Sequence, residues 1–173
     1  ASDGTIFAGM WEGGVYKSTD GGANWANAGT GLGNLRVWSV ALSPAYPTDS
    51  TMFAGTDGGL YRSTNGGSSW THQNHVIGTR RVTSIVVSSE FAADRTLYCG
   101  SNYGGVLRST DGGTTWANFV SGLGNTYVQA MGISPGANPT VVAGTVGGSV
   151  WQYSYSAPFQ RALDAGWQLI SIP

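Results

Sequence analysis

The sequence predicts an all-β chain made of about four copies of one unit, each a sheet of four antiparallel strands. Three observations predict it. Ser18-Thr19-Asp20-Gly21-Gly22-Ala23-Asn24-Trp25 returns as Ser63 to Trp70 and again as Ser109 to Trp116, with the serines 45 and 46 residues apart. Thr5-Ile6-Phe7-Ala8-Gly9 returns near the same interval at Thr51–Gly55, Thr96–Gly100 and Thr140–Gly144. The 173 residues include 28 glycines, with 12% aromatic and only 10% charged residues, which suits strands and tight turns around a packed core. A period near 45 with several short strands per unit is the pattern of a propeller blade.

The second unit shows the parts in order. Trp38–Ser43 is an apolar strand A, closed by Pro44. A turn-rich loop, Ala45–Ser50, leads to strand B at Thr51–Thr56, and Asp57-Gly58-Gly59 turns into strand C at Leu60–Thr64. Ser63 to Trp70 then turns C into strand D at Ser69–Gln73. The third unit repeats this with A at Val82–Ser88, B at Thr96–Ser101, C at Val106–Thr110 and D at Thr115–Phe119. The first unit begins at B. The fourth carries A (Val128–Ser134), B (Thr140–Val146) and C (Val150–Ser154) but no Ser-to-Trp turn. The only helical expectation is a short turn near Phe159–Asp164.

Unit boundaries fall near 1–31, 32–77, 78–123 and 124–157. Residues 158–173 are strand D of the fourth unit, a closing strand A, with Trp167 to Pro173 spaced as Trp38 to Pro44, or the start of a following segment. Four units suit a partial propeller, a ring completed by a second copy or by further blades of a longer parent chain, or a small ring closed by the tail.

In the Ser-to-Trp stretch, Asp or Asn accepts from backbone N–H groups across the turn, glycine supplies positive φ, and the Trp anchors the unit. Ser-x-Asp-x-Gly-x-x-Trp resembles the Asp-box, or BNR, repeat. Ser18/Asp20/Gly22/Trp25 and Ser109/Asp111/Gly113/Trp116 match it fully, and Ser63/Asn65/Gly67/Trp70 matches with Asn for Asp. Sialidases, xyloglucan-type glycoside hydrolases, sortilin-like receptors and photosystem II assembly factors carry such repeats. The resemblance implies a β-propeller in which these twelve residues are structural, on the C–D turns and on the face opposite the usual ligand site. It does not select a function.

The B–C turns and D–A loops share the other face. They bring Trp11, Glu12, Asp57, Asn102 and Tyr103 together with Arg36, Arg81 and Tyr127, of which the last three are repeat-equivalent. An aromatic and polar ring at a central mouth suits a glycan or a peptide. Asp3, Asp49 and Asp94 precede the Thr of each strand B and are read as turn caps. No catalytic residue is assigned, because Glu12 and Asp57 are both replaced in other units. His72 and His75 do not make a metal constellation, no phosphate loop is present, and no cofactor is expected.

A formal net charge of −1 gives no basic footprint for nucleic acid, and no apolar run reaches membrane-span length. Cys99 is the only cysteine and aligns with Ala8, Ala54 and Ala143, so it reads as a small core residue. The expected function is a non-catalytic binding or scaffold module of a secreted or cell-surface protein. The alternative is part of a sialidase- or xyloglucanase-like glycoside hydrolase whose remaining catalytic residues lie elsewhere.

Overall fold

The structure is a computed structural model and describes residues 4–73, 80–119, 126–148 and 150–154. Four antiparallel sheets follow one another along the chain. The first unit holds β1 (Ile6–Met10), β2 (Gly14–Ser18) and β3 (Ala26–Asn27). The second holds β4 (Val37–Leu42), α1 (Tyr46–Asp49), β5 (Met52–Thr56), β6 (Gly59–Ser63) and β7 (Thr71–His72). The third holds β8 (Val82–Val87), α2 (Phe91–Asp94), β9 (Leu97–Ser101), β10 (Gly105–Ser109) and β11 (Ala117–Asn118). The fourth holds β12 (Val128–Ile133), β13 (Thr140–Thr145) and β14 (Val150–Ser154). Each sheet is a simple meander, so the expected A–B–C–D order is the observed one in the second and third units, while among the described residues the first unit has no strand A and the fourth no strand D. The expected tail elements, including the turn at 159–164, lie outside the described residues.

The D strands are shorter than the sequence suggests. In each Ser-to-Trp turn the serine hydroxyl donates to the acid or amide two residues on, at 2.8–2.9 Å, and accepts from the second glycine's N–H at 2.9 Å. The Asp or Asn oxygen then takes the N–H of Asn24, Ser69 or Thr115, which is thereby withdrawn from the ladder. Gly22 and Gly113 hold φ of 99° and 91°, a backbone that a Cβ would strain.

The A–B loops are not plain turns. In the second and third units they form the one-turn helices α1 and α2, each ended by a residue in the left-handed region, Ser50 or Arg95. The sequence reading gives Ala45–Ser50 only as a turn-rich loop. The loops are tied to their flanking strands by Asp49 and Asp94, whose carboxylates accept from the Ser43 and Ser88 hydroxyls and the Thr51 and Thr96 N–H groups at 2.7–2.8 Å. Both helices face the core: Tyr46 packs edge-on against Phe7 of the preceding unit, and Phe91 against Phe53.

Units join by repeated contacts. The Ser39 and Ser84 hydroxyls accept from Ile85 and Met131 N–H of the next innermost strand, at 3.2 and 3.1 Å. Trp70 is held by the segment after β3, its ring N–H donating to Ala28 O at 2.6 Å and its backbone N–H to Thr30 O at 3.0 Å. Trp70 and Trp116 are each 5% exposed, whereas Trp25 is 43% exposed. The expectation of one core anchor per turn thus fails at Trp25, which no other unit covers among the described residues.

Candidate functional site

The two ends of the sheets differ in chemistry. At one end the Ser-to-Trp turns lie beside the A–B loops, with Gly66 and Gly112 N–H donating to Ser50 and Arg95 carbonyls. At the other, Asp57, Asn102 and Val146 N–H donate to the carbonyls of Arg36, Arg81 and Tyr127. These backbone bonds clamp each B–C turn to the D–A loop beside it, and so fix where the mouth side chains start.

From that base a polar chain crosses all four units. The Arg36 guanidinium lies 3.6 Å from Glu12 Oε1 and 3.6 Å from Asp57 Oδ2. Asp57 Oδ1 accepts from Arg81 Nε at 2.5 Å and from Trp38 Nε1 at 2.7 Å. Arg81 Nη1 donates to the Tyr127 hydroxyl at 3.3 Å, and Tyr103 stands edge-on to Tyr127 with ring centroids 6.3 Å apart. Trp11 and Trp38 meet edge to face at 4.8 Å. Arg36 lies over Trp11 at 5.4 Å and Arg81 over Trp38 at 4.6 Å, close enough for cation–π attraction. Trp11 and Trp38 remain 51% and 39% exposed.

Seven of the eight mouth residues named from sequence join this chain. Asn102 enters it only through its backbone N–H. His72 lies behind it, its Nε2 2.9 Å from Gly58 O, and His75 is outside the described residues. Lys17 and Arg108 lie over Phe7 and Tyr98 rather than at the mouth. Trp38 is the member that sequence reasoning missed. Pairing of β4 with β5 steps from Val37–Thr56 to Ser39–Gly55, which leaves Trp38 as the extra residue of a β-bulge. The same step occurs at Thr83 and Gln129. A bulge re-aims its side chain, and the polar residues at the two equivalent positions were the available signal that this one leaves the core.

The charges explain one another. Partial burial pushes the Asp57 pKa up, but hydrogen bonds from Trp38 and Arg81 and the positive charges of Arg81 and Arg36 outweigh it, so its carboxyl titrates below the ordinary aspartate value. A glycosidase general acid needs the opposite shift. Arg36 also contacts both carboxylates that would have to flank a scissile bond. Cys99 is fully buried and its thiol pKa is pushed far up by desolvation, so it is no nucleophile. Among the described residues no three His, Cys, Asp or Glu side chains cluster as metal ligands, and no helix is long and apolar enough to cross a membrane.

Solved structures share this fold. An ancestral GH74 enzyme is similar at 20% identity and a TM-score of 0.52, over 95% of this chain and 30% of its own. The extracellular domain of the hybrid two-component system BT4673 from B. thetaiotaomicron is similar at 17% identity and a TM-score of 0.69, over 96% of this chain and 21% of its own. The computationally designed Ika4 protein is similar at 14% identity and a TM-score of 0.64, over 89% of this chain and 87% of its own. The chain is a β-propeller module. It spans under a third of the first two proteins, and at these identities the likeness concerns fold alone. No protein-family model and no curated protein sequence matches the chain.

Proposed function

We propose that this propeller module is a non-catalytic glycan-binding unit that works outside the cell, with its ligand at the mouth formed by the B–C turns and D–A loops. The supporting observation is the exposed Trp11–Trp38 pair, braced from Glu12 through Arg36 and Asp57 to Arg81. Indole faces stack on the C–H faces of a sugar ring, and fixed carboxylate and guanidinium groups exchange hydrogen bonds with its hydroxyls. The ion-paired chain holds these groups before ligand arrives, which lowers the ordering cost of binding. Extracellular placement is supported by the likeness to an extracellular domain. The twelve Asp-box-like residues build the opposite end and take no part in binding.

A glycan array followed by titration calorimetry tests this. Binding without turnover is expected, with Trp11→Ala and Trp38→Ala each weakening it at least about tenfold, or ~1.4 kcal/mol. Hydrolysis that is lost in Glu12→Gln or Asp57→Asn would instead identify a glycosidase fragment. A folded protein that binds no glycan would leave the mouth to a protein partner and overturn the proposal.

A further inference from the structure

The joint between the second and third units is filled by an arginine. A Cβ placed on Gly112 would lie 3.9 Å from Cζ, Nη1 and Nη2 of Arg62, so the guanidinium reaches from the end of β6 to the next unit's Ser-to-Trp turn. In the joint between the first and second units the equivalent residues are Lys17 and Gly66. Among the described residues a Cβ on Gly66 would meet only the hydroxyl end of Tyr46 within 4 Å. Lysine lacks the planar fork of arginine, and Lys17 Nζ lies instead 5.6 Å from the centre of the Phe7 ring. A cleft of about 360 Å³ lies at this joint, with Lys17, Asp20, Trp25, Asn27, Thr30 and Ser68 in its walls. Small-molecule sites run from about 300 to 1,000 Å³, so this one suits a small ligand.

The walls carry both signs of charge and one indole. Hydrogen bonds from the Asn24 N–H, the Asn24 amide and the Ser18 hydroxyl keep the Asp20 carboxylate ionised. Among the described residues neither Lys17 nor Asp20 makes an ion pair. An anion in the cleft would face Asp20 and a cation would face Lys17, and like charges at close range repel. A neutral ligand rich in hydroxyls avoids both costs, because a hydroxyl donates to a carboxylate and accepts from an ammonium. Thr30, Ser68 and Asn27 add further donors and acceptors. Two of the walls are fixed in advance: Trp25 Nε1 donates to Gly22 O at 3.0 Å, and Asn27 Oδ1 accepts from Gly29 N–H at 2.9 Å. Groups already held in place lower the ordering cost of binding.

We propose that the cleft between the first two units is a second binding site, separate from the mouth, that takes a single neutral sugar residue. Lys17 and Asp20 bracket its hydroxyls, and Trp25 supplies the apolar wall for its C–H face. Asp20 and Trp25 take no part at the mouth, so this site does not depend on a ligand there. The joint at Arg62 is the closed form of the same place, with the chain's own guanidinium where the sugar would sit.

An NMR titration of the isotope-labelled protein with the methyl glycosides of glucose, galactose, mannose and N-acetylglucosamine, and with glucuronic acid, tests this site apart from the mouth. At least one neutral glycoside should move the Trp25 indole N–H resonance saturably, that resonance being assigned by its loss in Trp25→Phe. Lys17→Arg keeps the charge and places the residue that Arg62 and Arg108 already supply in folded units. It should therefore fold, fill the cleft and abolish the shift. Trp38→Ala should leave the shift in place, because Trp38 belongs to the mouth. A Trp25 resonance that no glycoside moves overturns the site. A shift that survives in folded Lys17→Arg, or one that is lost in folded Trp38→Ala, overturns its placement in this cleft. A response to glucuronic acid alone overturns the neutral class of ligand.

Discussion

Asp57 and Asp20 are both exposed-turn aspartates in sequence, yet they work in different ways. Asp57 ties its own unit to the next through Arg36, Trp38 and Arg81, so its identity matters to the mouth. Asp20 is tied to its own turn: backbone and side-chain hydrogen bonds from Asn24, then one from Ser18, hold its pKa at about 2 against an ordinary 3.8. Asp111 shifts the same way; burial opposes the shift, and the Thr115 hydroxyl and N–H outweigh it. A pKa lower in the folded state contributes stability that is fully present above the unfolded value and lost as pH falls through the folded one. Stability should therefore drop between about pH 4 and pH 2, as read from urea midpoints. Asp20→Asn should flatten part of that drop, because Asn65 already builds the same turn without a titrating group. An unchanged pH profile would show that the turn carboxylate is not linked to folding.

At the scale of the element, the three Ser-to-Trp turns share hydrogen bonds but not burial. Trp116, 5% exposed, sits in the core cluster with Phe53, Leu97 and Leu107. Trp116→Ala should cost about 3–5 kcal/mol, since it removes transfer energy and leaves a cavity. Trp25→Ala should cost far less, because Trp25 is 43% exposed. Guanidinium denaturation of the two variants compares them directly, and equal losses would mean that Trp25 is covered in solution. The Ser-to-Trp turns and strands A to C were legible because each demands particular residue types at fixed spacing. The helices α1 and α2 were not, since one helical turn has no periodicity to read. The bulge at Trp38 was not legible either, because it is a property of pairing between two strands.

For the whole molecule, four sheets are joined in series by side chains that each unit lends to the next, so a ligand held at the mouth is linked to the folding of all of them by mass action. A glycan that binds the mouth should raise the melting temperature with its concentration, by about 2.7 kcal/mol of stability at a hundred times its Kd. Differential scanning calorimetry with and without the glycan checks this, and an unmoved midpoint would mean that the folded chain does not bind it.

The sequence by itself determined the all-β class, the four units, the order of strands and the end of each sheet at which each loop falls. These follow from local rules: glycine where φ is positive, alternating apolar residues in strands, and a repeat that places equivalent residues at equivalent points. Only the tertiary structure decided that Trp11, Trp38, Glu12, Arg36, Asp57 and Arg81 form one braced group, and that Trp70 and Trp116 are buried while Trp25 is exposed. Both depend on how one unit's side chains meet the next unit's backbone. Those distances are set by packing between sheets, and no spacing along the chain encodes them.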